Sequence, residues 1–176
     1  MITTYLTGAL THDSPQPRTE LSLGGYKSSN LISNDVMNNL FSDESQNSVS
    51  KESRDIRCIA FKTNINLTSL LIGVKKSNLI CNFKIELGFS VSSSTELLTD
   101  QHALPSSIQF NPELYITDYN DIINVYSIPS VFTESIVFVW IKRTMIKNSD
   151  YTALCNVDVE ATQLNSGFEL VISSVN

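Results

Sequence analysis

The run Ile136-Val137-Phe138-Val139-Trp140-Ile141 is the feature that most limits how this chain can fold. It holds the only tryptophan and is dominated by β-branched and aromatic residues, which favour a pleated, packed surface. The run stops abruptly at Lys142-Arg143-Thr144. A polar connection through Lys147-Asn148-Ser149-Asp150 leads into Ala153–Ala161, where apolar and polar residues alternate. Two adjacent strands joined by a loop are expected, the first at the centre of a core.

Strand signals recur along the chain. Phe83–Val91 alternates cleanly, with Phe83, Ile85, Leu87, Phe89 and Val91 on one face and Lys84, Glu86, Gly88 and Ser90 on the other. One core face and one wet face are expected, as in an antiparallel sheet. Asp55–Lys62 places Ile59 and Phe61 opposite Cys58 and Ala60. Further strands are expected at Ile2–Leu6, Leu70–Lys75, Ile108–Phe110, Ile122–Ile128 (ended by Pro129), Leu154–Thr162 and Phe168–Val175. Asn34–Phe41 reads as one helical turn with Asn34 or Asp35 as N-cap. Residues 92–121 form a long irregular excursion.

The fold class is all-β: an antiparallel sandwich, jelly-roll or immunoglobulin-like, of about seven or eight strands. Residues 1–54, with Pro15, Pro17 and a serine-rich acidic stretch, are expected as an extended loop-rich arm carrying one short strand. Residues 55–176 form the sandwich domain.

Net charge is −6, with Lys and Arg dispersed, so the basic footprint of a nucleic-acid binder is missing. No apolar run approaches the roughly 20 residues needed to span a bilayer. The opening MITTYLTGAL has neither a basic n-region nor a long apolar one, so it does not read as a signal peptide. Cys58, Cys81 and Cys155 are widely spaced and odd in number, as expected of reduced, buried thiols in a protein made in a cytosol.

No residue group reads as catalytic, cofactor-binding or metal-ligating. His12-Asp13-Ser14 holds the residue types of a hydrolytic triad, but a triad is assembled in space, and no nucleophile-elbow pattern is present. It reads as a turn with an exposed histidine. Asp118-Tyr119-Asn120-Asp121 offers oxygen ligands without the glycine and terminal glutamate of a calcium loop, so a solvated turn is expected. Asp43-Glu44 reads as a solvated loop or helix start. Asn66-Leu67-Thr68 matches a glycosylation acceptor, which means little without an export signal. At Lys142-Arg143 the strand is expected to leave the core and reach water; the competing reading pairs the arginine with a carboxylate on a neighbouring strand or subunit, a role also open to Arg57. Trp140 is expected in the core with a partner for its N–H. His12 and His102 both fall in loop-like contexts far from the cysteines.

Several blocks resemble one family. Tyr5-Leu6-Thr7-Gly8-Ala9, Leu21-Ser22-Leu23-Gly24-Gly25 with Ser28-Ser29, Asn39-Leu40-Phe41 with Asp43-Glu44-Ser45, Asp55-Ile56-Arg57-Cys58-Ile59, Val139-Trp140-Ile141-Lys142-Arg143-Thr144 and Val159-Glu160-Ala161-Thr162 occur in order. Together they resemble a group of tailed-bacteriophage virion structural proteins. The chain departs from that pattern in having Lys142-Arg143 for two arginines and Ala161 for a glycine, and residues 163–176 lie beyond the similarity.

The resemblance implies a virion component and not an enzyme, assembled in the bacterial host cytoplasm and needing no cofactor. A capsid auxiliary or decoration protein is expected, bound to the major capsid protein and self-associating on the particle. Its arm would lie across neighbouring subunits. Portal, neck, tail or fibre contacts are the alternative within the family. A carbohydrate-binding sandwich is the alternative outside it, with Tyr115, Tyr119 and Tyr126 as a candidate platform.

Overall fold

A computed structural model of the chain describes residues 2–32, 40–41, 54–76, 83–111, 123–145 and 168–175. Eight strands fall within them: β1 Ile2–Ala9, β2 Tyr26–Leu31, β3 Arg54–Thr63, β4 Leu67–Lys76, β5 Phe83–Val91, β6 Ile123–Val131, β7 Ile136–Met145 and β8 Phe168–Val175. The described residues contain no α-helix and a single 3-10 turn, Thr19–Leu21. They form two antiparallel sheets, one of five strands ordered β2-β1-β3-β7-β5 and one of three ordered β6-β4-β8. The expected all-β sandwich is the fold.

β7 lies inside the larger sheet, between β3 and β5, and its sequence has two apolar faces. Val137, Val139 and Ile141 enter the core between the sheets, meeting Ile59 and Phe61 of β3, Ile85 and Leu87 of β5, and Leu70, Ile72 and Val74 of β4. Phe138 and Trp140 enter a second cluster on the opposite face, with Ile56, Cys58 and Ala60. A strand buried on both faces must read as a continuous apolar run, which is why 136–141 does not alternate.

The second face is closed by loops. Leu23 and Leu98 are buried against it, and Ala103, Ile108 and Phe110 pack at its margin. The excursion after β5 therefore serves as a covering layer. The expected wet face of β5 is accordingly a covered one: Gly88 is buried, and a Cβ there would lie 2.3 Å from the Ile108 side chain. Burying a face under irregular chain requires that the loop satisfy its own backbone groups. Here Leu98 N–H donates to Leu23 O, Ile56 N–H to Gln101 O, and Asn111 N–H to Leu87 O.

The structure corrects several expectations. Residues 2–9 and 26–31 are not an arm: β1 pairs with β3 from Ile2↔Thr63 to Leu6↔Ile59, so the division at residue 54 cuts through one sheet. The alternation of β1 is weak because it is a half-buried strand, flanked by polar residues that bond inward. β6 does not end before Pro129 but runs to Val131, with Pro129 opposite Ser69. That is tolerated because β6 lies at a sheet edge, where a missing donor need not break a ladder. Ile108–Phe110 is not a strand but part of the covering loop. β4 begins at Leu67, three residues before the expected start. Most of the Asn34–Phe41 turn and the whole Leu154–Thr162 strand lie outside the described residues.

Candidate functional site

Three polar constellations stand out, and the sequence blocks of interest fall in the first two. At the first, β1 leaves the ladder after Leu6↔Ile59, and the chain at Ser22 takes over the freed edge of β3. Cys58 N–H donates to Ser22 O (2.7 Å), and Cys58 O accepts from Ser22 Oγ (2.6 Å) and Thr7 Oγ1 (2.8 Å). Thr7 N–H donates to Ser22 Oγ (2.9 Å) and Gly24 N–H to Thr7 Oγ1 (3.0 Å). Thr7, Ser22 and Cys58 are fully buried, so every polar atom there needs a partner inside the protein.

Directly above this knot, Gly24 adopts φ +91°, and a Cβ on it would sit 1.9 Å from Glu96 O and 2.6 Å from the Trp140 ring. Only glycine combines that backbone angle with so close an approach. Trp140 is fully buried and donates its indole N–H to Thr95 Oγ1 (3.2 Å), meeting the expectation of a core residue with a polar partner. The blocks at 5–9, 21–25, 55–59 and 139–144 thus converge on one tryptophan and one hydrogen-bonded knot.

The second constellation surrounds Asp55. Its carboxylate accepts from Arg143 Nη2 at 2.8 Å, directly across the β3–β7 ladder, and lies 3.3 Å from His102 Nδ1. Asp55 and Arg143 are both mostly buried. Arg143 and Arg57 place their guanidinium groups 4.6 and 5.3 Å from the centre of the buried Phe41 ring. Arg57 itself donates to Leu40 O, Ile56 O and Gln101 Oε1, and burial pushes its guanidinium below the ordinary arginine value. On the opposite face of β7, Lys142 pairs with Glu86, its cross-strand neighbour on β5, at 2.5 Å. The strand therefore does not leave the core at Lys142: β7 continues to the buried Met145, and both cations are held by carboxylates on adjacent strands.

The third lies at one end of the larger sheet. An open groove of about 470 Å³ is lined by His12, Val91, Ser92, Ser93, Glu134 and Ile136, among others. His12 meets the Tyr26 ring edge-on at 4.7 Å between centroids, and Ser14 Oγ donates to Thr11 O. Asp13 pairs with Lys27, whose hydrogen bond holds the Asp13 carboxyl below the usual carboxylate range. The residue types of a triad are present but each is turned to a different partner. Lys27 was not singled out by any pattern, yet it is buried, with its ammonium 4.0 Å from the Tyr5 ring centre.

Glu134, on the rim of this groove, pairs with Lys62. Among the described residues no three His, Cys, Asp or Glu side chains gather as a metal site. Cys58 is a buried thiol, pushed far above its ordinary value by burial; Cys81 and Cys155 lie outside the described residues. So do Asp43-Glu44, Asp118–Asp121, Tyr115 and Tyr119. Tyr126 packs against the core, 5.1 Å from the Phe89 ring. Asn66 accepts at Oδ1 from Thr133 N–H and Oγ1, which ties two loops together.

Chemically, these groups fasten strands to loops. No family model, curated protein or solved structure matches the chain.

Proposed function

We propose that the chain is a structural component of a bacteriophage virion, an auxiliary or decoration protein that binds the major capsid protein shell. The observation that carries this reading is the convergence of four resembling blocks, far apart in sequence, on Trp140. Thr7 and Ser22 bond to Cys58 O, and Gly24 lies against the Trp140 ring. Sequence blocks that meet in space describe one structural unit, whereas chance similarities would be scattered over it. Their residues are committed to buried hydrogen bonds and cross-strand ion pairs, which suits a protein whose task is to hold a shape and present loops. A neck, tail or fibre position is the alternative placement within the same reading.

A carbohydrate-binding sandwich is less well supported, since Tyr126, one of its three candidate platform residues, is packed against Phe89 and the core. Imaging of intact particles from the phage that encodes the chain is the test. Density for this fold at many equivalent shell positions is the expected result, and a single ring at the portal vertex selects the alternative. Particles that contain none of this protein, by imaging and by mass spectrometry, would overturn the reading.

A further inference from the structure

Left-handed backbone at a residue other than glycine is held only where the surrounding structure fixes it, and ligand clamps are among such places. Among the described residues three adopt it, and two of them, Asp13 at φ +59° and Glu134 at φ +71°, stand at the groove at one end of the larger sheet. Glu134 lines that groove, and Asp13 follows His12, which lines it too. Three segments distant in sequence meet there, and main-chain bonds tie each to a strand. Asp13 N–H donates to Lys27 O (3.0 Å), Ser92 N–H to Ile136 O (3.2 Å) and Glu134 N–H to Thr63 O (3.4 Å). The His12 ring is steadied edge-on against Tyr26. The walls are therefore set by the fold.

The groove's volume of about 470 Å³ falls within the roughly 300 to 1,000 Å³ of small-molecule sites. Its lining decides what it can take. Ser92, Ser93 and Ser135 bring hydroxyls, Glu134 a carboxylate and His12 an imidazole, while Val91 and Ile136 supply aliphatic surface. No lysine or arginine is among these residues, and the ammonium groups beside them are engaged, Lys62 by Glu134 and Lys27 by Asp13. An anion thus meets no cation of its own there, and a metal ion meets a single carboxylate that is already paired. A flat heterocycle meets no aromatic wall beyond the imidazole. A neutral ligand rich in hydroxyls fits each group: serine hydroxyls donate and accept, and the carboxylate accepts from ligand hydroxyls. The C–H face of a sugar ring packs on the aliphatic chains.

The geometry points to this groove as a binding site for a neutral saccharide, a monosaccharide or disaccharide unit. Glu134 accepts from the ring hydroxyls, and Ser93 and Ser135 complete the hydrogen bonding. Because the groove is open, one side of the sugar stays in water, and the affinity expected is millimolar. The site is separate from the tyrosine platform considered above, since Tyr126 packs on the core and does not line the groove. It also does not depend on the virion reading. A chain that binds no sugar would end the groove proposal alone, and particles that lack the chain would end the virion reading alone.

The test is titration of the full chain with maltose, lactose, cellobiose and diacetylchitobiose, read from the NMR shifts of its backbone amides. Saturable shifts at Ser92, Ser93, Glu134 and Ser135 are expected with at least one of the four, and none with inorganic phosphate. Glu134→Gln keeps the length of the side chain and is expected to weaken binding about tenfold; Ser93→Ala, which removes one neutral partner, should weaken it about fivefold. No saturable shift at these amides with any of the four sugars, shifts confined to another part of the chain, or phosphate bound there as well as sugar would each overturn the proposal. So would variants that fold and bind as the wild type does. The wild-type titration decides the matter even if a variant fails to fold.

Discussion

Gly24→Ala is the sharpest probe of how the loops are fastened to the sheet. The residue sits at φ +91°, where an alanine costs about 1 to 2 kcal/mol from backbone sterics alone. Its methyl would lie 1.9 Å from Glu96 O and 2.6 to 2.7 Å from two Trp140 ring atoms, well inside ordinary contact, and neither neighbour is a flexible tip. Glu96 O accepts the Gly25 N–H at 3.1 Å, and Trp140 is bonded to Thr95, so relief of the clash disturbs both. Overpacking of this kind costs about 1 to 3 kcal/mol. The sum, about 2 to 5 kcal/mol, is a large part of the roughly 5 to 15 kcal/mol that holds a domain folded.

Urea unfolding followed by tryptophan emission reads the change directly, because Trp140 is the only tryptophan and touches the substituted position. With a slope of about 2 kcal/mol per molar, the midpoint should fall by about 1 to 2.5 M. Protein concentration must be held fixed, since any self-association shifts the apparent stability. Gly25→Ala is the control: its φ is +73°, but its nearest contacts are 3.2 and 3.3 Å, where a slight shift gives relief, so it should lose little beyond the backbone part, about 1 to 2 kcal/mol. If Gly24→Ala lost no more than Gly25→Ala, the tight seat of the tryptophan would be refuted.

Asp55→Asn removes the charge facing the largely buried Arg143 and should cost about 3 kcal/mol at neutral pH, whereas Glu86→Gln, at a more accessible pair, should cost about 1 kcal/mol or less; equal losses in chemical denaturation would contradict the assigned burial. Cys58 should resist thiol reagents in the native state and become modified only at the rate of unfolding, as followed by peptide mass spectrometry; rapid labelling of the native protein would contradict its burial. Glu96 accepts from the hydroxyl and N–H groups of Ser106 and Ser107, led by the Ser106 hydroxyl, which lowers its pKa. Its contribution to stability is present above the ordinary glutamate value and disappears as pH falls through the lower folded one. The stability gap between wild type and Glu96→Gln should therefore close in acid, and a gap that widened there would reverse the assignment.

The class of the fold, and the two faces of its clearest strands, are legible in local pattern. Alternation in Phe83–Val91 separates the side that meets the core between the sheets from the side that loops cover, and the unbroken run at 136–141 records a strand dry on both sides. These are local properties, set by a two-residue period. Tertiary structure alone decided which strands are neighbours, because pairing depends on the whole sheet. Arg143 meets Asp55 across 88 residues, and nothing near either residue announces the other. The same holds for β1, whose place in the sheet rests on the edge that β3 offers, and for the 92–111 excursion, which covers an apolar face without periodicity of its own. Cores need covering, but irregular chain can cover them, and irregular chain leaves no repeating mark in sequence.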